Sequence, residues 1–237
     1  MTLTLNAAGY TAHGRTRLHP TSLTIDPSTV TLIVGRNGSG KSTLMSLMAA
    51  DLQPSSGTVL LAGDDAASLS ARELARRRAV LGQEQRIAFG FLVRDVVSWG
   101  RYCWSGTPQA REDAGVVEQM LDEQGISHLA ERRVTELSGG ERQRVHLARV
   151  RAQQAPILLL DEADASLDLE GRHHLTLTAR AEADRGCAVV LVSHDVQRQL
   201  DLADRVIAVE SGRVVIDVAR DAVNLTDLSA ALRAPLT

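Results

Sequence analysis

Residues 157–160 and 188–192 are short, continuous apolar runs flanked by polar or turn residues. Runs of that length predict strands buried on both faces of a parallel sheet. Earlier β-rich segments lie at 3–5, 22–25 and 30–34, broken by Pro20 and Pro27, and others at 58–62 and 79–82. A helix is predicted over 41–50 and another over 70–77, where Glu73 is spaced for a capping box on Ser70. A third, over 168–184, joins the two apolar runs as a β-α-β crossover. Residues 206–209 and 214–218 read as a hairpin around Glu210-Ser211-Gly212.

Between 89 and 153 the period changes. Apolar positions recur at helical spacing, at Val93, Val96 and Val97 and again at Val116, Val117, Met120 and Leu121, with turns at 106–108 and 125. The pattern predicts one α/β domain with a mixed sheet, parallel at its centre and antiparallel in part. Its core is expected over 1–88 and 154–237, with a helical subdomain inserted at 89–153. Residues after 221 carry no clear signal.

Composition narrows the function. With 237 residues and 44% hydrophobic content, the chain can bury a sizeable core. A net charge of −3 gives no global field for nucleic acid, and two each of Phe, Trp and Tyr are too few for a base-stacking surface. Cys103 and Cys187 fit no metal spacing and read as free thiols. No signal peptide is read in residues 1–14, and no apolar stretch nears the roughly 20 residues a spanning helix needs. Lys41 is the sole lysine.

That lysine sits in Gly35-Arg36-Asn37-Gly38-Ser39-Gly40-Lys41-Ser42, followed by Thr43, between a predicted strand and a predicted helix. The pattern is that of a phosphate loop. Glycines let backbone N–H groups turn inwards on phosphate oxygens, and the helix N-terminus favours the same charge. Lys41 supplies a point charge to the terminal phosphates, and Ser42 a hydroxyl to Mg²⁺. The fold class is therefore a P-loop NTPase core. A second pattern agrees: the apolar strand 157–160 ends in Asp161 and Glu162. Carboxylates at that end of a parallel strand lie where α/β folds bind ligands. Asp161 suits the Mg²⁺ shell, and Glu162 suits a general base for the attacking water.

Leu137-Ser138-Gly139-Gly140-Glu141-Arg142-Gln143, ahead of a helix, narrows the field further. It resembles the signature motif of the ABC ATPase family. The resemblance implies a nucleotide-sandwich dimer in which Ser138, Gly139, Gly140 and Glu141 face the ATP of the opposite subunit. It also implies roles for Gln83 at the Mg²⁺ and water, for Ser166-Leu167-Asp168 across the dimer interface, and for His194 at the γ-phosphate. Tyr10 is the expected adenine-stacking residue, with His13 as the alternative. The family usually has Pro-Thr after the glutamate, whereas this chain has Ala163-Asp164. The preferred reading of that extra carboxylate is a solvated side chain; the alternative is a residue that tunes turnover.

Residues 74–83 and 89–101 resemble ATPases of haem, iron-siderophore and cobalamin importers. Leu92 and Gly82 depart from the residues usual there. The resemblance implies integral membrane permease subunits, an extracytoplasmic substrate-binding protein reached through them, and a position on the cytoplasmic face of the membrane. Phe89 and Phe91 are either part of a docking groove for the permease or core of the helical subdomain. The alternative function is a soluble ABC ATPase acting on ribosomes or DNA, or one serving another class of transporter.

Overall fold

The computed structural model describes residues 1–82, 87–164, 167–193 and 195–232. An antiparallel pair, β1 (Leu3–Ala12) and β2 (Arg15–Ile25), opens the chain. β3 (Thr29–Val34) leads into α1 (Lys41–Met48). Next come β4 (Ser56–Leu61), a two-residue β5 (Asp64–Asp65), α2 (Ala71–Arg77) and β6 (Arg78–Leu81). Three helices follow, α3 (Val93–Ser98), α4 (Asp113–Glu123) and α5 (Gly139–Ala152), with 3₁₀ turns between them. The remainder is β7 (Ile157–Asp161), α6 (Leu169–Asp184), β8 (Ala188–Val192), α7 (Val196–Leu200), β9 (Arg205–Glu210), β10 (Arg213–Ala219) and α8 (Leu225–Leu232).

The strands form two sheets. One is antiparallel, in the order β2-β1-β4-β5. The other runs β10-β9-β3-β8-β7-β6, parallel throughout except for β10 at its edge. The mixed sheet expected from the sequence is thus present. Pro20, read as a strand breaker, lies inside β2 instead. β2 is an edge strand, and its register with β1 shifts between Leu18 and Thr21. A residue without an N–H is tolerated at such an irregular edge.

The central strands show why their sequences lack polar alternation. Val30, Leu32 and Val34 of β3, Leu158 and Leu160 of β7, and Val189 and Leu191 of β8 point to one face. Ile33, Ile157, Leu159, Val190 and Val192 point to the other. Successive residues of a strand face opposite ways, so a sheet covered on both sides needs apolar residues throughout. The first face is covered by α5, α6 and α8, through Leu147, Leu175, Ala179 and Leu228. The second is covered by α1 and the antiparallel sheet, through Leu44, Leu47, Leu3, Leu5 and Leu61. A third apolar cluster joins α3, α4 and α5 around Val96, Leu121 and Val145. Helix α5 belongs to two of these clusters: Leu147 and Val150 pack on the sheet, while Val145, Ala148 and Ala152 pack on α3 and α4. Among the described residues, no helix is long and apolar enough to cross a membrane.

Candidate nucleotide site

The loop between β3 and α1 is shaped by close approaches of backbone. A Cβ on Gly35 would lie 2.4 Å from the Val209 carbonyl oxygen and 2.6 Å from Ser39 Oγ. Gly40 has φ +112°, and a Cβ there would lie 3.0 Å from the Arg17 carbonyl oxygen. Gly38 has φ +76° with open space around it. The loop therefore needs glycine for backbone angle at all three positions, with φ +156° at Gly35, and for room as well at Gly35 and Gly40. The turn between β9 and β10 braces it, since Gly212 N–H donates to the Ser39 carbonyl (2.7 Å) and His19 N–H donates to the Gly212 carbonyl (2.7 Å). Sequence reading found that turn but not this contact, which only the tertiary fold creates.

Lys41 is buried at the start of α1, 4% exposed. Its ammonium donates to the carbonyls of Gly35 (2.8 Å) and Arg36 (3.0 Å), so the loop curls around it. Burial pushes its pKa below the usual lysine range, and the neighbouring Glu162 and Asp161 carboxylates pull it back up. The fold thus brings the sole lysine together with Asp161 at the end of β7 and Glu162 just after it in one electrostatic neighbourhood. Arg36, Asn37 and Gly38 are exposed, as is Ser42, while Thr43 is half-buried. Ser39 Oγ is buried and, among the described residues, has no hydrogen-bond partner.

Asp161 ends β7 opposite Val192 of β8. Glu162 follows in the left-handed region at φ +51°, its N–H donating to the Val192 carbonyl at 3.0 Å. A non-glycine residue is uncommon there, and such conformations concentrate at functional sites. The next two residues are held as well. Gln143 on α5 donates its side-chain N–H to the Ala163 carbonyl (2.9 Å). Asp164 is 5% exposed and accepts a hydrogen bond from the Ser193 hydroxyl. The preferred sequence reading, a solvated Asp164, is therefore corrected: the side chain is buried, because it is bonded to the equally buried Ser193 just past the end of β8.

The Ser138 and Glu141 side chains hydrogen-bond each other's backbone as a complete capping box at the start of α5, at 3.3 and 2.8 Å. That backbone bond from Ser138, with its hydroxyl, holds the Glu141 carboxyl below the usual range. Ser138 and Gly139 are exposed, and Gly140 is half-exposed. Asp168 caps α6 through Gly171 N–H at 2.8 Å. Tyr10 is half-buried on β1, paired with Leu18, and His13 is exposed in the following turn with φ +50°. Gln83, Ser166 and His194 lie outside the described residues. Phe89 and Phe91 are 72% and 41% exposed, with Phe91 edge-on to Trp99 at 5.0 Å. The reading of these two as core does not hold.

The donor set suits a magnesium nucleotide. A backbone cradle that a Cβ would obstruct, a buried ammonium, and hard oxygens on Ser42 and Asp161 are the groups that phosphates and Mg²⁺ require.

Residues 18–165 match the ABC transporter family. The Hemin import ATP-binding protein HmuV of Rhodococcus jostii (strain RHA1) is 40% identical over 214 residues, which cover 90% of this chain and 73% of that one. Its namesake from Streptomyces coelicolor (strain A3(2) / M145) is 42% identical over 210 residues, covering 88% and 75%. Among solved structures, cbiO1 from Clostridium perfringens, part of the ABC transporter complex cbiONQ, superposes with a TM-score of 0.81 at 26% identity, covering 92% of this chain and 88% of that one. An ATP binding subunit of an ABC transporter superposes with a TM-score of 0.85 at 17% identity over 97% and 98%.

Proposed function

Because the chain belongs to the ABC transporter family, we propose that it is the ATP-hydrolysing subunit of an importer taking up haem or a similar metal chelate through a separate membrane permease. The observation that carries the substrate class is about two-fifths identity, over most of both chains, to relatives named for hemin import.

Two copies close around two ATP molecules. In each site Gly35, Arg36, Asn37, Gly38, Ser39 and Gly40 wrap the phosphates with their N–H groups, and Thr43 continues the helix end aimed at them. Lys41 leaves the loop carbonyls of Gly35 and Arg36 for the terminal phosphates. Ser138, Gly139, Gly140 and Glu141 of the other copy complete the site. Ser42, Asp161 and Gln83 would hold Mg²⁺, which supplies charge neutralisation across the phosphate oxygens. Tyr10 stacks on adenine. Glu162 takes a proton from the attacking water, and His194 stabilises charge on the transferring group. Residues 1–88 and 154–237 act as the α/β core and 89–153 as the helical subdomain. Exposed Phe89, Phe91 and Tyr102 give that subdomain an apolar face for the permease on the cytoplasmic side of the membrane. An extracytoplasmic binding protein delivers the chelate.

Phosphate release from Mg·ATP by the purified chain tests the chemistry. Glu162→Gln is expected to lower the rate by about 100-fold or more while ATP binding persists. A wild-type rate in that variant would remove Glu162 from the role. Affinity capture from gently solubilised membranes tests the partners. A polytopic membrane protein and a binding protein carrying a metal chelate are expected. Ribosomal or DNA-associated proteins without a membrane partner would overturn the transporter reading.

A further inference from the structure

Asp164 stands where the family usually has threonine, and among the described residues it is the one buried carboxylate. Its Oδ2 accepts the hydrogen bond of the Ser193 hydroxyl, which is 2% exposed. The same Ser193 oxygen accepts the N–H of Asp195 at 3.0 Å. One oxygen therefore ties residue 193 to residue 195 and both to the loop two residues past Glu162. The clamp extends outwards, because the Asp195 carboxylate faces Arg172 of α6 at 3.9 Å and Arg198 of α7 at 3.5 Å. On the other side, Gln143 of α5 holds the carbonyl of Ala163, the residue between Glu162 and Asp164. His194 lies between the two clamped residues in the sequence.

We propose that Asp164 is a positioning residue for ATP hydrolysis: through Ser193 it fixes the backbone on both sides of His194 relative to Glu162. This rests on the roles given above to Glu162 and His194. The physics favours a fixed geometry. A buried carboxylate bonded to a hydroxyl is a charge-assisted contact, about twice as strong as a neutral one, and costly to leave unmade. The segments it joins come from the ends of adjacent strands, β7 and β8, which pair Asp161 with Val192. Glu162 is already tied to Val192 through its own N–H. The Ser193 clamp adds a side-chain lock to that backbone lock, so the two segments move as one unit. Misplacement of a catalytic group by even an ångström is enough to slow a reaction severely.

The experiment is steady-state ATP hydrolysis by the full chain, with kcat and KM measured separately and thermal unfolding measured alongside. Asp164→Ala and Ser193→Ala are each expected to lower kcat about tenfold with KM for ATP changed less than about twofold. The double variant is expected to match the worse single one, because both remove the same contact. Asp164→Asn keeps an acceptor oxygen for Ser193 and is expected to recover most of the rate. Asp164→Thr, with its hydroxyl, serves as a second conservative variant should the alanine protein fold poorly. Multiplied losses in the double variant, or an unchanged kcat in Asp164→Ala, would overturn the proposal. So would a loss confined to KM, or one that follows thermal stability alone. Glu162→Gln run in parallel separates the two levels. If it abolishes hydrolysis while Asp164→Ala is silent, only the positioning role fails. If Glu162→Gln is itself silent, the catalytic reading beneath it fails.

Discussion

Gly35 has no room for a side chain, because a methyl group there would press on the Val209 carbonyl and on Ser39 at once. Both neighbours are fixed, one in a buried strand and the other by the Gly212 contact to its carbonyl. Gly35→Ala is therefore expected to destabilise the fold by about 1–3 kcal/mol, in the range of overpacking, and to weaken ATP binding at least tenfold. Gly38→Ala meets no atom and strains only the backbone angle, for about 1–2 kcal/mol with the loop's shape kept. Thermal unfolding and ATP titration of the two proteins check the contrast; equal loss of ATP binding in both would refute the steric account of Gly35. At this scale the sequence was legible wherever chemistry is written in consecutive residues. The phosphate loop, Asp161-Glu162 and the Ser138-Glu141 capping box follow from residue types at fixed spacing. Asp164 was misread because its partner is Ser193, 29 residues on. No local pattern tells a buried acid from a solvated one when the partner comes from another strand.

Helix α5 is the element whose behaviour the packing predicts best. Its N-terminal end is exposed at Ser138 and Gly139, and its C-terminal end is locked by charge. Arg151, with a side chain 3% exposed, lies between Glu123 of α4 and Glu182 of α6. Arg185 bonds the same two acids, at 3.0 and 2.8 Å. Arg151→Ala would leave Arg185 as the remaining cation on two partly exposed acids, so the change is expected to cost about 1–3 kcal/mol, below the penalty for a fully uncompensated buried charge. The network also sets a pH dependence. Burial alone would raise the Glu123 pKa, but hydrogen bonds from Gln119, Arg151 and Arg185 hold it down at about 2. A carboxylate depressed in the folded state binds fewer protons there than in the unfolded chain. Its contribution is complete above the ordinary carboxylate range near 4.5 and is lost as pH falls towards 2. Urea unfolding between pH 6 and pH 2.5 should show a shallower acid decline in Glu123→Gln than in the parent; identical slopes would exclude Glu123 as a source. The parallel strands were legible because burial on both faces removes polar residues from them. Harder elements were those whose identity depends on neighbours. β2 keeps its course through Pro20 because it is an edge, and α8 is held by the wholly buried Leu228 with Leu232 packed beside it on the core.

For the molecule as a whole, the proposed pairing of two copies makes a prediction of its own. Two glycine-bearing helix starts have groups suited to phosphate: the loop that opens α1, and the exposed start of α5. The first is gathered with Lys41, Asp161 and Glu162; the Ser138 and Glu141 side chains, among the described residues, hydrogen-bond only within their own helix turn. If the α5 turn serves the nucleotide of a partner, each site needs one half from each chain, and a two-fold dimer supplies both. That arrangement predicts rescue between two dead proteins. Lys41→Ala breaks the first half and Ser138→Arg blocks the second, so each variant alone should be inactive in both sites of its own dimer. A mixed dimer contains one site with an intact Lys41 and an intact Ser138, and another with both damaged. With random pairing at equal amounts, half of the dimers are mixed and half of their sites are sound, so independent sites would return about a quarter of the parent rate. Phosphate release from the mixture, compared with each variant at the same total concentration, reads this directly. Recovery that falls on dilution would tie activity to association of the chains. No recovery at any ratio, from two variants that each remain folded, would mean that the α5 turn does not serve a neighbour's nucleotide, and the sandwich arrangement would have to be given up.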